Sequence, residues 1–247
     1  MHMASDSLEF VGKAVVVTGG TGALGTAVVT ALLNAGAACY VPNFIASELE
    51  GWVSRGRAGL HVVEGIDLAK ESHVRSFYEQ VPPLWASIHL AGGFRMSNLE
   101  ATSADEFAEL WKLNALTCFL CCKEAVASIR RRTASDGGGV TGGRIVNVAA
   151  RPALEPRTGS GMAAYTSSKA AVAALTVALG EELAREQIWV NAVAPSILNT
   201  EVNRRAMPNA EHASWPAVDA VARAIVQLAS PANGCTRGAV LPLYGAV

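Results

Sequence analysis

The chain predicts an α/β fold, a single doubly wound domain with a seven-stranded, mainly parallel sheet and helices on both faces. Three observations predict it. Apolar, β-branched runs alternate with helix-like stretches along the whole chain, the pattern of parallel strands joined by right-handed crossovers. Near the start, Val15-Val16-Val17-Thr18 leads into Gly19-Gly20-Thr21-Gly22-Ala23-Leu24-Gly25 and then into a helical stretch from Thr26 to Leu33. With 51% hydrophobic and only 17% charged residues in 247, the chain can bury a sizeable core.

The elements follow in order. The first strand, glycine loop and helix start form a phosphate cradle, because a helix N-terminus presents free N–H groups and the positive end of its dipole. Glycines there let the backbone turn sharply and approach a ligand. Gly36–Val41 reads as the second strand, 59–67 contains the third, and a charged helical stretch runs from Ala69 to Gln80 before Pro82-Pro83. Ala86–Ala91 is the fourth strand, ending at Gly92-Gly93. A long helical region runs from about Ser103 to Arg132, and Arg130-Arg131-Arg132 reads as a solvated C-terminus where cations meet the dipole. Residues 134–143 read as a mobile loop, Arg144–Val148 as the fifth strand and 161–185 as a helix. Ile188–Val193 is the sixth strand and Ala239–Leu243 the seventh. There is no internal repeat or linker, so 11–247 reads as one domain. Residues 1–10 lack an apolar signal core and read as a disordered or expression-derived N-terminus.

Net charge is −1, with no basic tail, which argues against nucleic acid and anionic membrane as partners. No apolar run approaches the roughly 20 residues that span a bilayer. Five scattered cysteines describe no disulfide framework and suit a reducing cytoplasm. Cys118, Cys121 and Cys122 sit at helical spacing, but no second cysteine pair or nearby histidine completes a ligand set. They read as buried small side chains, with no metal expected. Low charge also suggests a surface covered by another subunit.

In doubly wound sheets ligands bind beyond the carboxyl ends of the strands, so 18–25, 42–46, 67–68, 91–97, 149–164 and 194–208 are the segments that matter. Just past the fifth of these, Tyr165 and Lys169 lie at i and i+4 on one helix face. A free phenol titrates near 10, and a neighbouring ammonium favours the phenolate and lowers that value. The pair suits proton exchange with a C=O or C=N group during reduction, or the reverse.

The glycine loop, and Tyr165-Thr166-Ser167-Ser168-Lys169 about 140 residues after it, resemble the short-chain dehydrogenase/reductase family over nearly the whole chain. The loop's T-G-x-x-G-x-x-G spacing differs from the commoner T-G-x-x-x-G-x-G, with Ala23 at that pattern's middle glycine. The resemblance implies a Rossmann-like fold, an NAD(P) cofactor, a small-molecule substrate and a homotetramer or homodimer built on the two long helices. It places the cofactor against Gly19, Thr21, Gly22, Ala23, Leu24 and Gly25, with Asn43 and with Asp67 and Leu68 at the adenosine end. Ala91, Gly92 and Gly93 stand where the family usually has the end of N-N-A-G, with His89 and Leu90 replacing both asparagines. Pro195, Ile197 and Thr200 match the segment that holds the nicotinamide carboxamide, with Ser196 replacing a glycine. The resemblance also implies that Lys169 bonds the nicotinamide ribose and that Asn114 helps a proton relay. Asn114 reads equally as a helix-interior asparagine bonding a backbone carbonyl.

One departure stands out. The family usually carries a serine at the end of the fifth strand, where this chain reads Ile145-Val146-Asn147-Val148-Ala149-Ala150, with Ala150 in its place. Losing one transition-state hydrogen bond costs on the order of 100-fold in rate. Three explanations remain open. The acceptor is a quinonoid C=N system that takes hydride readily; here 19–25, Ala91-Gly92-Gly93-Phe94, Ala149-Ala150, Gly161-Met162 and Leu198–Arg204 resemble the dihydropteridine reductases. Alternatively Ser160 or Thr158 replaces the hydroxyl, in a ketoreductase. Or catalysis has decayed to a dinucleotide-binding sensor or scaffold.

Cofactor choice is read at the end of the second strand, where an acid bonds the ribose 2′-OH and an arginine accepts a 2′-phosphate. Asn43 stands there, the acid is missing and no arginine follows immediately, a balance that leans to NAD over NADP. Candidate pocket walls are Phe94, Arg95, Met96, Arg151, Leu154, Met162, Leu198, Met207 and Trp215. Arg95 or Arg151 either meets an anionic substrate edge or is solvated.

Overall fold

The computed structural model describes residues 10–135 and 142–247. Its sheet comprises β1 (Ala14–Thr18), β2 (Ala38–Asn43), β3 (Leu60–Glu64), β4 (Ala86–His89), β5 (Gly143–Val148), β6 (Ile188–Pro195) and β7 (Val240–Leu243). The seven strands lie in the order β3-β2-β1-β4-β5-β6-β7, and each neighbouring pair is parallel. The sheet is thus parallel throughout rather than mainly so. Strand order reverses between β1 and β4, which puts the ligand crevice beyond the carboxyl ends of those strands.

The helices are α1 (Ala23–Asn34), α2 (Glu71–Gln80), α3 (Ala104–Trp111), α4 (Thr117–Ser135), α5 (Arg151–Leu154), α6 (Ala163–Glu182), α7 (Glu201–Ala206) and α8 (Val218–Ala229). Successive side chains of a strand point to opposite faces, so Val15 and Val17 pack with Val28, Leu32, Val221 and Ile225 of α1 and α8. Val16 faces the other way, into a cluster with Phe77 of α2, Leu120 of α4 and Val172 of α6. Burial on both faces is why the strands read as continuous apolar runs instead of alternating ones.

Several expectations change. Phe10, placed in the N-terminal tail by sequence, is fully buried, and its N–H bonds Ala35 O at 3.0 Å. The rest of that tail lies outside the described residues. So does most of the loop expected over 134–143; Ala134 and Ser135 close α4, and Gly143 opens β5. The long helix expected over 103–132 is interrupted by a π-helical turn, Lys112–Leu116. Ser103 starts its first segment with a capping box to Glu106. The three arginines are partnered as well as solvated: Arg130 and Arg131 stay exposed and Arg132 is half-buried. Arg130 pairs with Glu186, Arg131 donates to Tyr78 O, and Arg132 donates to Leu84 O and lies 5.5 Å from the centroid of Trp85. Lys13 and Arg144 also approach that ring, at 4.7 and 5.0 Å. Helix α8 was not expected from the sequence, although Val221, Ala222, Ile225, Val226 and Ala229 give it a buried stripe of helical period.

Candidate active site

The phosphate cradle forms as its composition dictates. Gly22 caps α1 with no side-chain hydrogen bond, and the first turn carries no acid, so the helix start is open to an anion. Gly19 adopts φ +64°, and a Cβ there would sit 2.8 Å from Ala91 N. At Gly25 a Cβ would sit 2.1 Å from Gly19 O, inside any tolerable contact, whereas at Gly22 it would meet only Gly19 O at 3.5 Å. Gly25→Ala is therefore expected to cost about 3 kcal/mol or more of stability. Gly22→Ala is expected to melt within about 2 °C of wild type, yet to bind NADH more weakly, because its methyl faces the cradle. Thermal melts and NADH titrations of the two variants check this. A stable Gly25→Ala protein would contradict the loop geometry.

The carboxyl ends of β4 and β5 and the start of α6 meet beside the cradle. A Cβ on Gly92 would lie 2.5 Å from Asn114 Oδ1 and 3.2 Å from Lys169 Nζ, so glycine lets three elements converge there. Asn114 sits in the π-helical turn, almost fully buried. Its Oδ1 accepts from Gly93 N at 3.1 Å, and its Nδ2 donates to Gly93 O at 3.0 Å and to Ser168 Oγ at 3.1 Å. Thr117 Oγ1 donates to Leu113 O at 2.7 Å across the same turn. Such bulges re-aim a helix at functional positions. The backbone-bonding reading of Asn114 therefore describes its side chain.

Lys169 is buried and donates to Val148 O at 2.9 Å. Burial holds its ammonium down to about 8, with the Cys118 sulfur pulling partly the other way. Tyr165 is half-buried, with its ring edge-on to Phe94 at 5.0 Å between centroids. Burial pushes its phenol up to about 12. The structure thus reverses the expected lowering of the phenol by Lys169, because desolvation outweighs any charge that Lys169 brings to it.

The other predicted residues divide. Ala91, Gly92 and Gly93 lie beside the cradle and Asn114, while Ala149 and Ala150 are buried at the end of β5. Pro195 ends β6, Ile197 is exposed, and Thr200 Oγ1 caps α7 by accepting from Asn203 N at 3.2 Å. Asp67 accepts from Ala69 N at 3.0 Å and lies 3.6 Å from Lys70 Nζ, with Leu68 packed on the core. Arg151 does not offer a free cation. It pairs with Glu155 at 2.8 Å and lies 4.7 Å from the Tyr244 ring centroid. Arg95 is likewise engaged, by Glu106. Leu154 is exposed, Met162 is half-buried and precedes α6, and Leu198 is partly buried against the core. Thr158 Oγ1 is committed to Glu155 O at 2.8 Å, while Ser160 is exposed.

Sequence reasoning missed two residues here. Glu48, in a 3-10 turn over Ala46–Leu49, accepts from Thr21 Oγ1 at 2.6 Å and lies 3.5 Å from Asn43 Nδ2. Glu48 lies five residues beyond Asn43, outside the strand end where an acid was sought, and its only sequence signal is that short spacing. His89 is the second, and it corrects the expectation that no histidine approaches the cysteines. Ligand atoms of His89, Cys118 and Cys122 all lie within 4.8 Å of one another, because the end of β4 packs under α4. Both ring nitrogens are already used. Nδ1 donates to Asn147 Oδ1 and Nε2 meets Ser87 Oγ, each at 2.8 Å, so the amide oxygen places a proton on Nδ1. The three clustered cysteines are buried, as expected.

Comparison with known proteins agrees with this geometry. The family model for short chain dehydrogenases matches residues 13–211, and the chain belongs to that family. It is 30% identical to the uncharacterized oxidoreductase YgfF of Escherichia coli (strain K12), over 93% of this chain and 98% of that one. It is 29% identical to the 3-oxoacyl-[acyl-carrier-protein] reductase of Homo sapiens, over 78% of each. In three dimensions it is similar to a short-chain type dehydrogenase/reductase from Mycobacterium ulcerans (TM-score 0.85, 22% identity, covering 96% of this chain and 90% of that one). It is also similar to a 3-ketoacyl-(acyl-carrier-protein) reductase from Brucella melitensis complexed with NADH (TM-score 0.84, 22% identity, covering 97% and 100%).

Proposed function

We propose that the chain is an NAD(P)-dependent reductase that delivers hydride to a C=N or C=O group of a small molecule, with Tyr165 as proton donor. The observation that carries this reading is the convergence of Gly92, Asn114 and Lys169, one helical turn from Tyr165, beside an uncapped helix start at the switch point of the sheet. The residues present fit a dinucleotide: Gly19 to Gly25 would hold its pyrophosphate, Asn43 and Asp67 its adenosine, and Lys169, Pro195, Ile197 and Thr200 its nicotinamide end. When bound, it supplies the hydride. Tyr165 keeps its proton at neutral pH and gives it to the reduced acceptor, and the Lys169 ammonium stabilises the phenolate left behind. Asn114 holds the Gly93 backbone and Ser168, and so fixes the floor on which Lys169 stands.

Ala149 and Ala150 bring no hydroxyl to the acceptor, and that of Thr158 is occupied. This supports an acceptor that needs no oriented oxygen, a quinonoid dihydropterin-like C=N, as the resemblance to dihydropteridine reductases suggests. The exposed Ser160 and the 3-oxoacyl reductases among the relatives favour a second reading, a ketoreductase in which Ser160 stands in. NADH and NADPH oxidation with a quinonoid dihydropterin, cyclic imines and 3-oxoacyl thioesters separates the two. Steady turnover of the quinonoid acceptor, changed less than about twofold by Ser160→Ala, is the expected result. Turnover of thioesters alone, lost about 100-fold in Ser160→Ala, selects the ketoreductase. Nucleotide binding without any turnover selects a sensor or scaffold.

Exposed apolar residues on α3 and α4 and between them, Phe107, Trp111, Leu116 and Phe119, support assembly into a homodimer or homotetramer. All five cysteines are free and no helix of the described residues is long and apolar enough to cross a membrane, which supports the cytoplasmic placement.

A further inference from the structure

We propose that Glu48, rather than any residue of β2, reads the 2′ position of the cofactor ribose and makes this site select NAD over NADP. The inference rests on the dinucleotide reading above and adds to it the residue that discriminates. The Glu48 carboxylate spans the gap between the glycine loop and the end of β2, held by Thr21 Oγ1 at 2.6 Å and facing Asn43 Nδ2 at 3.5 Å. These two residues flank the corner where a strand-end acid ordinarily takes the ribose hydroxyl.

The placement is built into the fold. Glu48 is followed by Leu49 and Trp52, both buried against the core, and Trp52 Nε1 donates to Thr26 Oγ1 of α1 at 2.9 Å. The 3-10 turn is thereby stapled to the start of the phosphate-binding helix. A second observation points to a ligand. Asn43 is 3% exposed, and its Oδ1 has no hydrogen-bond partner. A buried acceptor left unsatisfied costs about 1–3 kcal/mol, and a donor supplied by a ligand relieves it. Ribose hydroxyls are such donors, and the Glu48 carboxylate accepts from them too.

A 2′-phosphate fits this corner poorly. It carries a charge of about −1.5 to −2 and only acceptor oxygens near pH 7, so it repels Glu48 and offers Asn43 Oδ1 nothing. The arginines of this segment already have partners elsewhere. Phe44 and Ile45 follow Asn43, Arg55 donates to Leu49 O at 3.3 Å, and Arg57 donates to Asn34 Oδ1 at 2.6 Å.

Calorimetric titration of wild type and Glu48→Gln with NADH, NADPH, 5′-AMP and adenosine 2′,5′-bisphosphate tests the proposal, the last two isolating the ribose from the nicotinamide. Wild type is expected to bind NADH at least about tenfold tighter than NADPH, and 5′-AMP tighter than the bisphosphate. Glu48→Gln is expected to narrow both ratios to within about threefold, chiefly by tightening the phosphorylated ligands. A melting temperature within about 2 °C of wild type certifies the fold of the variant. Equal binding of both dinucleotides by wild type, or an unchanged ratio in Glu48→Gln, overturns the role of Glu48 and leaves the dinucleotide reading standing. Failure of wild type to bind any of the four overturns that reading, and this inference with it.

Discussion

Tyr165→Phe is expected to lower kcat by about 100- to 10,000-fold, while NADH affinity stays within about twofold of wild type. The ring remains, so its edge contact with Phe94, at 5.0 Å and 86°, survives. No fold element hangs on the hydroxyl, so stability should move by less than about 0.5 kcal/mol. What disappears is the one O–H that burial holds near 12, and hence protonated through the neutral range. Reduction needs that proton at the moment hydride arrives, and phenylalanine has none to give. Single-turnover oxidation of bound NADH separates this loss from any loss of binding. If Tyr165→Phe reduces the acceptor as fast as wild type, the proton comes from elsewhere and the proposed role of the Tyr165–Lys169 pair fails.

The sheet was legible because parallel strands buried on both faces leave unbroken apolar runs. Val15 to Val17 and Ile145 to Val148 announce themselves without any knowledge of their neighbours. The glycine loop was legible for a related reason, since Gly19 and Gly25 are demanded by local backbone approach. What stayed hidden depends on partners far away in sequence. Lys112–Leu116 reads as ordinary helix, and its π-helical turn goes with bonds of Asn114 to Gly93, 21 residues earlier, and to Ser168, 54 residues later. Arg130 to Arg132 read correctly as largely solvated, but their partners Glu186, Tyr78 O and Leu84 O could not be read from the local sequence. Arg151 looked available for a substrate because Tyr244, the ring it lies over, is far along the chain, although its pairing with Glu155 at i+4 was within reach of the sequence. Glu48 shows the same limit at the site itself. An acid was sought at the end of β2, whereas the fold delivers one from the next turn by stapling Trp52 to Thr26.

Lys169→Met is expected to abolish turnover and at the same time to stabilise the protein, a pairing that a merely structural lysine would not give. Burial moves the Lys169 ammonium from 10.5 to about 8. One pKa unit corresponds to about 1.4 kcal/mol, so carrying this charge in the folded state costs about 3 kcal/mol near neutrality. Losing the bond to Val148 O gives back about 1 kcal/mol, which leaves a net gain of roughly 2 kcal/mol, or several degrees in Tm. The sign with pH is fixed by linkage. The folded-state value lies below the unfolded one, so the penalty is full below pH 8 and fades between about 8 and 10.5, where the unfolded chain holds the extra proton. The stability advantage of Lys169→Met over wild type should therefore be constant at neutral pH and shrink as pH rises through that window. Activity of the wild type runs the opposite way. Once Lys169 sheds its charge nothing supports the nascent phenolate, so kcat/KM for reduction should fall above about pH 8. Melts of both proteins from pH 6 to 10, beside the pH–rate profile of the wild type, test the two halves together. A Lys169→Met protein less stable than wild type at pH 7, or an advantage that grows with pH, would show that the buried lysine carries no electrostatic strain. Its tuned charge could then not be what the site spends stability to hold.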